Sequence, residues 1–339
     1  LWGKAFGTYS GESFSSSLKI LILYQYFRMR RFKLKGEGRK CVNLGKAELR
    51  DLLVKFIKVV ATRLPDDVLE VLRKEGEAEK NSVTKRFYEM MLENVRYAAE
   101  KEIPICQDTG IPFFFIKLGL RSPYFNLIPL IIEESMEIAT EEVPLRPNAV
   151  NPINDKNLGD NVGPYIPWIE YELLPDSNLA EITLLLSGGG SSLPGRSITF
   201  KPLNGFEKMI EFVVDAISEY GVNACPPLFI GIGIGATSEV ASILAKRALL
   251  RRIGSRNENK VIAELEELLS KRLNELKIGI QGYGVGRSVL DVHIEYSARH
   301  PTTFAVGLSV NCWVLRRGIM RLYPDGRIEF PFHGGVKLR

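Results

Sequence analysis

Three cysteines, Cys106, Cys225 and Cys312, each stand beside residues that a plain core thiol has no use for. Cys106 opens the run Cys-Gln-Asp-Thr-Gly, which puts Gln107, Asp108 and Thr109 in consecutive positions ahead of an aromatic stretch. Three polar side chains in a row are costly to bury without partners, and a bound molecule carrying hydroxyl and carboxylate groups would supply them. Cys225 precedes Pro226-Pro227 and Cys312 precedes Trp313, so all three thiols fall at or near the ends of apparent strands. They are spaced far too widely for the paired ligands of short zinc motifs or ferredoxin-type clusters. Spacing alone leaves two readings open. The thiols are either three unrelated buried cysteines, a common fate for this residue, or the ligands of one metal cluster assembled from three loops. In the second reading, three thiolates on a cube of four irons leave one iron without a protein ligand, free to polarise a substrate oxygen.

Other residues suit the same chemistry. Arg146 lies in the proline-braced loop Pro-Leu-Arg-Pro-Asn, where a guanidinium can grip a carboxylate through two parallel bonds; the plainer reading is a solvated surface arginine. Gly188, Gly189 and Gly190 follow a strand, and successive backbone N–H groups in such a turn can cradle an anion, though a flexible loop would look the same. His300, in Arg-His-Pro, is a candidate acid–base group or a structural histidine. Gly231-x-Gly233-x-x-Ala236 matches a dinucleotide-binding fingerprint. The second strand and terminal acid that such a site needs are missing, and tight strand–helix packing explains the glycines instead.

These residues must be held by a scaffold, and its outline is readable. Helical periodicity covers three segments before residue 102, with Asn81 or Ser82 as N-cap of the third. Ile111–Gly119, Tyr165–Leu174, Ala180–Ser187, Leu228–Gly235, Ser288–Ser297 and Thr303–Val310 read as strands. Helices are expected over 127–143 and at about 205–221, 237–252 and 258–276. The fold class expected is mixed α/β, a helical N-terminal region leading into a mixed α/β body. Residues 1–44 are expected to be a basic tail, disordered or a mis-assigned start, and residues 45–335 a single domain. The formal charge of +5 is carried by that tail, which holds nine Lys or Arg against two acids, so the body is slightly acidic. No basic face for nucleic acid and no apolar run long enough for a membrane helix is visible. Four cysteines without a signal peptide point to a reducing compartment, and the cytoplasm is expected.

Taken together, Cys-Gln-Asp-Thr-Gly, the triple-glycine loop, Cys-Pro-Pro-Leu-Phe-Ile-Gly-Ile-Gly-Ile-Gly, the run from Val289 to Pro301 and Asn-Cys-Trp resemble the alpha region of class I fumarases and L-tartrate dehydratases. The resemblance covers roughly residues 45–335. It implies a [4Fe-4S] cluster on Cys106, Cys225 and Cys312 with one open iron, oxygen sensitivity, and a hydro-lyase that reversibly hydrates fumarate to malate in the tricarboxylic acid cycle. L-Tartrate dehydratase and mesaconate hydratase are the family alternatives, and a non-catalytic metal-holding scaffold is the alternative of another class. The resemblance places Gln107, Arg146, Gly188, Gly189 and Gly190 against the substrate and gives Asp108 and His300 the proton chemistry. It also implies a separate beta subunit that completes the site, in a hetero-oligomer of α2β2 type. The chain departs from the family at Ser187, where a lysine is usual, at Ser192 and Leu193, where Glu-Asn is usual, and at Val285 and Arg287 in the later glycine loop.

Overall fold

A computed structural model describes residues 44–336 and 338. The basic N-terminal stretch and Cys41 lie outside the described residues. Three helices come first: α1 (Lys46–Thr62), α2 (Asp66–Ala78) and α3 (Ser82–Lys101). In α1, Leu49, Leu52, Leu53, Phe56, Ile57 and Val60 recur at three- and four-residue intervals and are buried along one face. At its start the Glu48 carboxylate accepts the Gly45 N–H at 2.8 Å. Asn81 caps α3 as the sequence predicts, its side-chain oxygen accepting the N–H groups of Val83 and Thr84 at 3.0 and 3.2 Å.

The body is two sheets. The first has strand order β2-β1-β3-β8-β9, built from β1 (Ile111–Gly119), β2 (Trp168–Leu174), β3 (Ala180–Ser187), β8 (Arg316–Leu322) and β9 (Ile328–Glu329). The second has order β4-β7-β5-β6, from β4 (Arg196–Phe200), β5 (Leu228–Gly235), β6 (Val289–Tyr296) and β7 (Phe304–Asn311). Both mix parallel and antiparallel pairs: β1 runs parallel to β2 and antiparallel to β3, and β5 runs parallel to β6 and antiparallel to β7. The fold is therefore mixed α/β. The six strands read from the sequence are present with small shifts at their ends; β4, β8 and β9 are additional.

Helix α1 and helix α4 (Ile132–Glu142) share a core with the first sheet. Helices α5 (Gly205–Tyr220) and α7 (Lys260–Glu275) share one with the second. Helix α6 (Ser238–Ala248) lies so close to β5 that Cβ atoms at Gly231 and Gly233 would stand 2.2 and 1.9 Å from the carbonyl oxygens of Ala245 and Ala241. Those glycines serve helix–strand contact, as the packing reading holds, and no room is left there for a dinucleotide. A third apolar cluster draws on both sheets: Leu185 of β3, Phe229 of β5, Leu290 of β6, and Val314 and Leu315 between β7 and β8, all under α2 and α3. Cys106 and Cys312 pack against this junction.

Candidate metal centre and substrate face

Strand register explains why cysteines so distant in sequence meet. At one end of the first sheet, Ile111 of β1 pairs with Ser187 of β3, and Leu186 of β3 pairs with Arg316 of β8. The Cys106–Gly110 turn enters β1 at that end, and the glycine loop leaves β3 there. In the second sheet, Phe229 at the start of β5 pairs with Asn311 at the end of β7. Cys225 leads into that start and Cys312 leaves that end. Cys312 also lies on the short passage by which the chain crosses from β7 to β8, from the second sheet to the first. One end of each sheet is thus joined at a single place, and all three thiols are there.

Electrostatics report the same convergence. Burial raises the Cys225 thiol, and Cys106 and Asp108 raise it further. Burial pushes the Cys312 thiol up to about 12; Arg316 and the Val314 N–H oppose this, while Cys225 and Cys106 add to it. Cys225 and Cys312 each sense the other cysteines of the site, and ionising these two without a cation is disfavoured. Among the described residues no group of three or more His, Cys, Asp or Glu is arranged to hold a single metal ion.

Asp108 is the best-anchored polar group of the site. Its Oδ2 accepts the Gly189 N–H at 2.8 Å, and its Oδ1 accepts the Gly110 N–H at 3.0 Å and Asn148 Nδ2 at 3.3 Å. The glycine loop folds as one helical turn, Gly189–Ser192, capped on itself by the Ser191 and Ser192 hydroxyls, which donate to the Gly188 carbonyl at 3.0 and 2.8 Å. The Gly189 amide is committed to Asp108, so in this arrangement the loop holds a protein carboxylate first. A Cβ at Gly190 would stand 3.3 Å from the Asn223 carbonyl, which places the loop beside the turn that carries Cys225. The Arg146 loop is tied in from the other side: its carbonyl accepts the Thr109 hydroxyl and Asn161 Nδ2, both at 3.1 Å. Gln107 and Arg146 are exposed, and their side chains make no hydrogen bond or ion pair among the described residues. They flank Asp108 with heads free for a ligand.

His300 is placed differently. It sits in the loop between β6 and β7, next to the Ala305–Gly235 pairing, six strand positions from the Asn311–Phe229 pairing. At 3.3–3.4 Å per residue this puts it about 20 Å from the thiol end. It is exposed, and its Nδ1 accepts the Thr302 N–H at 3.2 Å and lies 2.7 Å from the Thr302 hydroxyl. The hydrogen bonds of Asp108 and His300 do not connect them.

Two of the departures, Ser187 and Arg287, find local partners. Arg287 pairs with Glu75 of α2 at 2.5 Å. The Val285 carbonyl accepts the Ile280 N–H at 2.7 Å, closing the loop whose Gln281 donates from both its backbone and its side chain to the Pro226 carbonyl, at 2.9 and 2.8 Å. The Arg287 side chain thereby fastens the loop that buttresses Cys225-Pro226, while Val285 acts through its backbone and its side chain has no structural explanation. At Ser187 the usual loop lysine is absent, but Lys246 of α6 brings an ammonium to the Ser187 hydroxyl at 3.3 Å, over the Phe113 ring.

Sequence reasoning missed Arg316. It is 2 % exposed, its Nε and Nη1 are buried without hydrogen-bond partners, and its nearest charged influences are Cys312, Cys106 and Asp108. An anion-poor wall would not be given an unpaired buried cation; a site that receives a negatively charged iron–sulfur group would. The donor chemistry and this idle guanidinium both fit such a group. Cys225 is exposed, while Cys106 and Cys312 are half-buried, so the site opens to the surface at Cys225. No helix among the described residues is long and apolar enough to cross a membrane.

A mixed α/β scaffold that gathers thiols, an anchored carboxylate and a free arginine on one face has the parts of a lyase site for small anions. The family model for fumarate hydratase matches residues 50–321, and the chain belongs to that family. It is 42% identical over 282 residues to the L(+)-tartrate dehydratase subunit alpha of Escherichia coli, strain K12, covering 83% of this chain and 93% of that protein. A relative in Methanocaldococcus jannaschii, named provisionally for the same subunit, is 38% identical over 286 residues, covering 83% of this chain and all of that protein. The chain is a hydro-lyase.

Proposed function

We propose that this chain is the alpha subunit of an iron–sulfur hydro-lyase that removes water from a four-carbon 2-hydroxydicarboxylate, L-tartrate first, with a separate beta subunit closing the site. The observation that carries this reading is the meeting of Cys106, Cys225 and Cys312 at the crossing between the sheets, beside an anchored Asp108. Those three thiolates would hold a [4Fe-4S] cluster. When bound, it would supply Lewis-acid activation of the leaving hydroxyl at an iron without a protein ligand. The chain's own residues bind the substrate and serve its leaving oxygen. Arg146 grips a carboxylate of the substrate, and Gln107 donates to it from the other side of Asp108. Asp108, fixed by the Gly189 and Gly110 N–H groups and by Asn148 Nδ2, exchanges a proton with the departing oxygen. The C–O bond breaks, the neighbouring carbon gives up its proton to a base on the partner, and water leaves. His300 stands too far along β7 to share that task within one chain, and no step is assigned to it.

The names of the curated relatives favour L-tartrate, and the substrates differ by a single hydroxyl, which a few polar contacts discriminate. The family model's name favours a second reading, hydration of fumarate. An exposed ligand thiol supports closure of the site by a partner subunit and sensitivity of the centre to oxygen; an α2β2 assembly in the cytoplasm is part of the same proposal. The test is anaerobic co-purification with the beta subunit, followed by turnover of L-tartrate, malate, fumarate and mesaconate. A kcat/KM for L-tartrate well above the others is expected. Turnover of malate and fumarate alone would establish the second reading, and a loaded complex idle on all four would overturn both.

A further inference from the structure

Arg316 and Arg317 are adjacent on β8, so their side chains leave opposite faces of the first sheet. Both are buried, at 2 % and 0 % exposure, yet their surroundings differ. Arg317 is partnered by the fold: Nη2 donates to Asp67 at 2.6 Å and to the Arg251 carbonyl at 2.8 Å, and the guanidinium lies 4.4 Å from the centre of the Phe332 ring. Arg316 has no such partner. Its Nε and Nη1 are buried without a hydrogen bond, and the groups that act on its charge are Cys312, Cys106 and Asp108. Asp108 is already engaged by Gly110, Asn148 and Gly189. Asn311, next to Cys312, is also buried with its side-chain Nδ2 unpartnered. The fold answers the Arg317 charge with a carboxylate and leaves only its Nε–H unpartnered, whereas the neighbouring cation has no carboxylate partner on the face toward the thiols.

We propose that Arg316 is a positioning residue for the metal centre: its Nε–H and Nη1–H are reserved as donors to the anionic thiolate-and-sulfide cage, and the chain carries this buried cation at a cost until the cage is loaded. The inference rests on the iron–sulfur reading above and adds a residue that reading does not need. A cation held 2 % exposed behind the ligands compensates the charge that three thiolates bring in, and it does so from the protein side, leaving the open face to the substrate. Outer donors of this kind orient the ligands and steady the centre, and their loss costs about 10- to 100-fold in affinity for it.

The experiment uses the full chain, purified without oxygen, as wild type, Arg316→Met and Arg316→Lys. Thermal melts are recorded on the iron-free chains, and loss of iron and sulfide to a chelator is followed on the loaded ones. The iron-free Arg316→Met chain is expected to melt at the wild-type temperature or above it, because an unpaired buried charge has been removed. Once loaded, it should lose iron roughly tenfold faster than wild type, with Arg316→Lys between the two. The KM for dicarboxylate of the molecules that keep their iron should be unchanged. An iron-free Arg316→Met chain that melts lower or does not fold would show that Arg316 serves the fold. Wild-type iron retention in both variants would overturn the proposal, and a raised KM with normal retention would make Arg316 a substrate ligand instead. Should the wild-type chain itself take up no iron and sulfide, the iron–sulfur reading fails and this inference falls with it.

Discussion

Two neighbouring glycines allow the role of Asp108 to be tested with one methyl group. Gly188 has φ −68° and ψ 151°, a conformation any residue adopts, so Gly188→Ala brings no backbone strain. Its Cβ would lie 2.9 Å from Asp108 Oδ2 and 3.4 Å from the Ser191 hydroxyl oxygen. The first of these is inside normal contact, so the carboxylate must yield, and the atom that yields is the one accepting the Gly189 N–H at 2.8 Å. Loss of one hydrogen bond to a charged group costs about 1.5–3 kcal/mol. A carboxylate displaced by a sizeable fraction of an ångström from a reacting oxygen costs up to about 100-fold in rate. Gly189→Ala is the matched control: its Cβ would meet the same Oδ2 at 3.8 Å, an ordinary contact. The assay is steady-state turnover by the complete two-subunit enzyme, with iron content measured on the same samples. Gly188→Ala should lower kcat by about 10- to 100-fold at unchanged iron content, and Gly189→Ala should stay within a few-fold of wild type. Equal effects of the two substitutions, or a loss of iron in Gly188→Ala alone, would refute the assignment of Asp108 as the anchored proton carrier.

Other outcomes are expected. Burial lowers the Lys246 ammonium to about 8 from its usual 10.5, so between those values this group makes stability to denaturant rise with pH, against the raised Cys225 and Cys312 thiols, which make it fall; the stability of Lys246→Met relative to wild type should therefore drop as pH climbs through the window. A difference between the two chains that stays flat across the window would contradict this. Asp67→Asn leaves Arg317 buried without its 2.6 Å partner and removes the acceptor charge for the Ile253 N–H, and chemical denaturation should register a loss of about 3–5 kcal/mol. His300→Ala should keep the full iron and sulfide content of the chain, since the histidine stands at the far end of β7; iron loss on that substitution would place it at the thiols after all.

Much of the scaffold is legible in the sequence because period and punctuation are local. Ile111–Gly119, Ala180–Ser187 and Leu228–Gly235 end where glycine or a polar turn ends them, and Asn81 announces α3. The three cysteines are legible as a set only through the motifs around them. What stays hidden depends on which strands pair. Residues 314–322, Val-Leu-Arg-Arg-Gly-Ile-Met-Arg-Leu, show three arginines and no clear alternation, and nothing local says that β8 is inserted between β3 and β9 with two of its arginines buried. Strand direction hides the place of His300 in the same way. Twelve residues before Cys312 sounds close, but a full strand runs between them. Asn148, which steadies Asp108, and Lys246, which reaches Ser187 from a helix, have no signature beyond ordinary loop and helix residues.

Iron-57 Mössbauer spectroscopy of the anaerobically reconstituted chain tests the convergence of the three thiols most directly. Predicted is one cubane cluster per chain with a single distinct iron, whose signal moves on adding dicarboxylate to the complete enzyme, and its loss in Cys106→Ser, Cys225→Ser and Cys312→Ser alike. Iron that persists when any one of these cysteines is replaced, or a cluster whose irons all ignore the dicarboxylate, would contradict it.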